Sequence, residues 1–82
     1  MCISMPGRIV EIVDPEHRLA SVDFGGRRRQ VSLGLLAAEE GAVGEWVVVQ
    51  AGLAVGVLSE AEAQTTLSLL REIEQLYEEE LP

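Results

Sequence analysis

The chain has 82 residues, of which 48% are hydrophobic, and a net charge of −8. That length leaves room for one domain with a small core, and the apolar content excludes a disordered polymer. The acidic balance disfavours nonspecific nucleic-acid binding, which depends on neutralising phosphates. The positive charge is concentrated at one end: Arg8, Arg18, Arg27, Arg28 and Arg29 come before residue 30, Arg71 alone comes later, and there is no lysine. A local basic patch facing a protein partner is compatible with that distribution.

"GRIVEIV" has the β-branched content of a strand. Ile9, Glu11 and Val13 fall on one face and Val10 and Ile12 on the other, so the face without Glu11 is expected to meet the core. Pro6-Gly7 just before it reads as a turn that aims the chain into this strand and limits the wandering of the residues ahead. "DPEH" (Asp14 to His17) is a turn, with proline presetting its backbone angle. "RLASVDF" forms a second strand with Ala20, Val22 and Phe24 on one face. Gly25-Gly26 marks a hairpin, because paired glycines accept positive φ. "RRRQVSL" returns as a third strand, with Val31 and Leu33 inward and Arg29 in phase with them.

"GLLAAEEGAVGE" is a connection, with one short helical turn expected before Gly41. "EWVVVQAG" is a strand with Val47 and Val49 on one face and Trp46 and Val48 on the other, which suggests a central place. "LAVGVLS" is a last strand interrupted by Gly56, where a bend or a close backbone approach is expected. Ser59 and Glu62 have the spacing of a capping box and open a helix. Leu69, Leu70, Ile73, Leu76 and Tyr77 form an apolar stripe on it, expected to lie on the barrel. Glu78, Glu79 and Glu80 oppose the helix dipole, so the last turn is expected to fray. The result is a mainly β protein: a small five-stranded barrel with one C-terminal helix.

No apolar stretch approaches the length of a membrane span. No basic segment followed by an apolar one suggests a secretory signal, and the cytoplasm is the expected location. Cys2, the only cysteine, rules out an internal disulfide. Buried, inert thiols are the common case, but chain ends are rarely buried. Removal of Met1 would leave the Cys2 thiol beside an ammonium group, which favours thiolate. A closed thiolate site takes about four protein ligands, whereas this sequence offers Cys2 and one histidine, His17, in a turn. If Cys2 binds a metal, a second protein or exogenous ligands must complete the shell, which points to a carrier or chaperone. No Ser-His-Asp pattern, G-x-S-x-G elbow or phosphate loop is present, so no enzymatic activity is expected. The Arg27-Arg28-Arg29 run reads either as a solvated edge or as a docking patch.

"MCISMPGRIV" is similar to the N-terminal signature of the HypC/HupF hydrogenase maturation chaperones. The similarity continues through "VDFGGRRRQVSL", "GEWVVVQAGLA" and "LSEAEA", in the family's order. It implies an OB-like five-stranded β-barrel with a C-terminal α-helix, in one domain over residues 1–82: barrel about 1–58, helix about 59–80. It also implies a scaffold that carries the Fe(CN)2CO iron unit of nickel–iron hydrogenase. The expected partners are a HypD-like iron–sulfur protein and the hydrogenase large-subunit precursor. By resemblance, Cys2 is the metal-contacting residue, and Pro6, Gly7 and Gln50 belong to the partner and iron-unit site. Family members often carry a histidine at the position of Gln50, and a neutral amide is a poor ligand for soft iron. The rival reading is an OB-type nucleic-acid-binding domain, but Phe24, Trp46 and Tyr77 are few aromatics for stacking bases.

Overall fold

A computed structural model describes residues 4–80, with side chains through Leu76. Five strands close into a barrel in the order β1-β2-β3-β5-β4. They are β1 (Met5–Asp14), β2 (Leu19–Asp23), β3 (Arg28–Ser32), β4 (Trp46–Gln50) and β5 (Leu53–Leu58), followed by helix α1 (Glu60–Glu80). The order and the terminal helix agree with the OB-like expectation.

β1 is long because it serves two neighbours. Met5 to Arg8 pair with β4, and Arg8 to Asp14 pair with β2, both antiparallel. Between Ile9 and Glu11 the register to β2 slips by one residue, leaving Val10 as a bulge, and it slips again between Ile12 and Asp14. The bulge corrects the assignment of faces. Ile9 and Ile12, three apart, both reach the core, Ile9 at 1% exposure and Ile12 packed partly buried against it. An extra residue in one strand resets the alternation and bends the strand, which a closed barrel needs.

Pro6 and Gly7 are not a turn. Both are buried strand residues, opposite Val48 and Val47. Over this stretch β1 pairs with β4 but not with β2, so a missing proline N–H is tolerated. A Cβ on Gly7 would collide with Val22 Cγ1 and lie 2.7 Å from Phe24 Cε1.

The glycine hairpin forms as expected. Gly25 and Gly26 both have positive φ, Phe24 N–H donates to the Arg27 carbonyl, and Gly26 N–H donates to Asp23 Oδ1. The core joins Ala20 and Val22 of β2, Val31 of β3, Val47 and Val49 of β4 and Ala54 of β5, capped by Leu33 and Leu36. β4 is not central, since closure gives every strand two neighbours; its outer face is half-buried. On β5 the bulge falls at Val55, with Val48 facing Gly56 and Val49 facing Ala54. The bend expected there is present, but nothing lies within 4 Å of a Cβ on Gly56, so the close approach is not.

The 33–45 connection contains turns, not a helical segment. Arg18 holds it from a distance: its guanidinium donates to the carbonyls of Leu36, Ala37 and Glu40 at 2.8–3.2 Å. Gly41, at φ +94, sits beneath that guanidinium and against Leu33.

At the start of α1, Ser59 N–H donates to Glu62 Oε1 and Glu62 N–H donates to Ser59 Oγ, the expected capping box. The helix meets β1 and β5 through its first turns only. Ala63 is fully buried, and Thr66, Leu67 and Leu70 are half-buried. The expected stripe does not lie on the barrel: Leu69, Ile73 and Leu76 are 53%, 61% and 60% exposed. The reason is reach. A 21-residue helix spans about 31 Å, whereas the molecule measures 49 × 23 × 21 Å, so α1 runs past the barrel. Its final residues, including the Tyr77 side chain, lie outside the described side chains.

Candidate functional site

An open groove of about 470 Å³ lies at the end of the barrel where β1 begins. Its apolar wall is Met5, Phe24, Val31 and Val49; Arg27, Arg29 and Gln30 form the opposite rim, and Ala51-Gly52 closes one end. Each part has a local cause. Phe24 can lie across β1 because Gly7 has no side chain. Arg27 and Arg29 flank the tip of the glycine hairpin. Ala51 and Gly52 make a two-residue turn between β4 and β5, with φ of +53 and +80. Such a turn matches strand twist but favours Gly or Asn at both positions, so Ala51 carries backbone strain at the groove's edge.

The four residues expected at the site stand in different relations to this groove. Cys2 lies outside the described residues. Pro6 and Gly7 are buried, and Gly7 acts by admitting Phe24. Gln50 is half-buried at the end of β4, opposite Leu53, and precedes the strained turn. Met5, at the start of β1, pairs with Val49, the residue before Gln50. Two of the four stretches that carry the resemblance, "MCISMPGRIV" and "GEWVVVQAGLA", therefore meet here as β1 and β4. The groove walls were not foreseen. The arginine run was the available signal; the hairpin sets Phe24 beside it, but Met5 and Val49 join it only by barrel closure.

His17 is elsewhere. The Asp14–His17 turn is at the far end of β1, separated from Met5 by roughly 30 Å of strand. There Asp14, Glu16 and His17 place ligand-type atoms within 4.8 Å of one another. Internal hydrogen bonds account for that clustering. Asp14 Oδ1 accepts from the N–H groups of Glu16 and His17, and Oδ2 accepts from His17 Nδ1–H at 2.8 Å. The His17 side-chain bond, then its backbone N–H, hold the Asp14 carboxyl below its ordinary pKa. This is a solvated turn, as expected for His17.

The aromatics do not form a platform. Phe24 is in the groove, while Trp46 shares the outer face of β4 with Val48 and Gln50. Among the described residues no second aromatic lines the groove.

The HupF/HypC family matches residues 1–70 of the chain. The chain belongs to that family. It is 40% identical over 80 residues to the hydrogenase maturation factor HypC of Azotobacter chroococcum mcd 1, covering 98% of this chain and 90% of that protein. It is 36% identical over 76 residues to HybG, a hydrogenase maturation factor of Escherichia coli K12, covering 90% and 93%. To HypC of the same strain it is 43% identical over 75 residues, covering 87% and 80%. The family match ends at residue 70, where α1 also stops being buried.

Proposed function

We propose that this protein is a hydrogenase maturation chaperone. It holds the Fe(CN)2CO unit through the Cys2 thiolate, jointly with a HypD-like iron–sulfur protein, and passes it to the hydrogenase large-subunit precursor. Iron is cargo here, not a resident cofactor. The observation that carries the reading is that Met5, at the start of β1, and the residues on either side of Gln50, Val49 and Ala51, line one groove. A tether of two residues from Ser4 reaches about 7 Å, so a thiol on it can work at its rim or extend into a partner. A thiolate suits the task because it is a soft ligand for low-spin iron. A carrier that supplies one ligand can exchange it when the next protein supplies its own. His17 is too far away to share the load, which leaves the partner to complete the shell.

This role needs no proton transfer or nucleophilic attack by the chain, consistent with a protein that is not an enzyme. Gln50 in place of histidine leaves the rim without an imidazole, so Cys2 is the one side chain contributed to the iron. The expected place of work is the cytoplasm; no helix of the described residues is long and apolar enough to cross a membrane. The OB-type nucleic-acid reading is disfavoured by the lone aromatic in the groove and the charge of −8.

The test is complementation of a strain lacking its own maturation factor. Cys2→Ser is expected to reduce hydrogenase activity to background with an unchanged melting temperature, and Gln50→Ala to be nearly silent. Protein co-purified with its maturation partners is expected to show cyanide and carbonyl infrared bands that Cys2→Ser lacks. Activity from Cys2→Ser, or equal loss from Gln50→Ala with folding preserved, would overturn the assignment.

A further inference from the structure

The barrel is closed unevenly. β3 meets β2 along its whole length, but meets β5 at a single parallel pair, Ser32 with Leu53. Hydrogen bonding fixes which way each β3 residue faces. Leu33 N–H donates to the Arg18 carbonyl and Phe24 N–H to the Arg27 carbonyl, so the odd-numbered residues bond toward β2. Ser32 N–H instead donates to the Gly52 carbonyl, across the seam. By the same alternation, the main-chain groups of Arg28 and Gln30 point across the seam too. Among the described residues no strand lies opposite them. The groove lies beside this stretch, with an apolar floor and Arg27 and Arg29 on its rim.

We propose that the Arg28–Gln30 edge and its groove form a docking site for an extended, acidic segment of a partner protein, which adds as a strand to β3. The two outward residues supply two N–H donors and two carbonyl acceptors, the ladder that strand addition uses. Phe24, Val31 and Val49 receive the apolar side chains on the segment's inner face. Charge selects the occupant. Arg27, Arg28 and Arg29 are half of the chain's six cations; Arg28 is on the face of β3 opposite Val31, where acidic residues on the segment's outer face stabilise the pair. A second copy of this chain would set those three arginines against their counterparts, so the same charges oppose self-pairing through this edge. A phosphate backbone offers acceptors only and leaves the carbonyls of this strand edge unpaired. Strand addition here uses main-chain groups, apolar side chains and arginines, and not the Cys2 thiol.

The probe is a six-residue fluorescein-labelled peptide of alternating valine and glutamate, titrated into the full chain and into Cys2→Ser. Saturable binding below about 1 mM is expected for both proteins. N-methylation of the three glutamates, which deletes the donors on one peptide edge, is expected to weaken it at least tenfold, as is Arg28→Glu, at the position that shares a face of the sheet with the peptide's glutamates. Arg28 is exposed, so that variant is expected to keep the fold, checked by circular dichroism; Arg28→Ala is the second variant. In amide hydrogen exchange, Arg28 and Gln30 are expected to become protected on binding. Absence of saturable binding would overturn the proposal. So would binding that survives N-methylation without protection at Gln30, or tighter binding of a ten-nucleotide thymidine strand. Loss of hydrogenase maturation in Cys2→Ser with peptide binding intact separates this site from the thiol's role.

Discussion

The barrel and the helix are held together by different physics. In the barrel, Ile9, Val22, Val31, Leu33 and Val47 are all under about 2% exposed, drawn from four strands and a connection. The helix contributes Ala63 alone to the fully buried set among the described residues, and beyond Leu70 every described side chain is exposed. The barrel is stabilised by long-range apolar packing, which scales with buried area. The helix is stabilised locally, by its capping box and its own hydrogen bonds. Two kinds of sequence signal correspond to these two regimes. Damage should therefore stay within the region that suffers it.

The most severe break is expected in the barrel at Gly7. Alanine there would overlap Val22 and Phe24, and overpacking of a tight core typically costs about 1–3 kcal/mol. Thermal melting of Gly7→Ala should show a cooperative loss of barrel signal at lower temperature, roughly 4–8 °C per kcal/mol in a domain of this size. An unchanged midpoint would mean that Phe24 swings away freely, and that Gly7 is not what shapes the groove wall.

Next in size, and opposite in sign, is Ala51→Gly. Ala51 sits at φ +53, where a β-carbon costs about 1–2 kcal/mol. Glycine removes that cost but adds unfolded-state freedom, so a net gain near 1 kcal/mol is expected, read as a higher melting temperature. A lower midpoint would show that the turn gains something from the methyl group that geometry does not reveal. Strain kept at the edge of the groove fits a site that holds its shape before a partner arrives.

These two positions also show what the sequence can and cannot convey. The Gly25-Gly26 hairpin, the inward sets of β2, β3 and β4, and the Ser59–Glu62 cap were legible because each depends on neighbours within a few residues. The faces of β1 were misread because the bulge at Val10 leaves no mark in an alternating pattern. Gly7 looked like part of a turn because its reason for being glycine, Phe24, is far along the chain and arrives only on folding. The Arg18 clamp on the 33–45 connection was missed for the same reason. The apolar stripe of α1 was real as a pattern, but periodicity says only that a face exists, not what covers it. At the site, Cys2 stood out as the lone thiol and Gln50 came from a resemblance, while the groove next to Gln50 required the closed barrel.

A smaller effect is expected from cutting the helix. Ending the chain after Leu70 removes Ile73 and Leu76, both exposed, and changes at exposed positions usually stay within about 0.5 kcal/mol. Removal from Ser59 also takes Ala63, Leu67 and Leu70 off β1 and β5 and should cost visibly more. Denaturant unfolding of the two truncations distinguishes them. Equal losses would mean that the distal helix supports the barrel after all, and the contrast drawn above would fail.

The finest test is acid, because it acts on the helix cap and spares the core. Glu62 accepts the backbone N–H of Ser59 and caps against its hydroxyl, and both interactions, the first more strongly, lower its pKa from the ordinary 4.5. A carboxyl whose pKa is lower folded than unfolded binds protons more readily in the unfolded chain, so it adds stability where it is ionised. That contribution is complete above pH 4.5 and is lost as pH falls through the lower, folded value. The other glutamates of α1 titrate nearby, so raw helicity mixes several effects. Comparison with Glu62→Gln isolates this one, since glutamine keeps the shape and removes the charge. The wild-type advantage in helix melting is expected to be small because the cap is exposed. It should be constant above pH 5 and fade to nothing in stronger acid, while the barrel, whose described buried residues include no charged group, should show no difference between the two proteins. A gap that persists in strong acid would mean that the hydrogen bonds of the cap matter more than its charge.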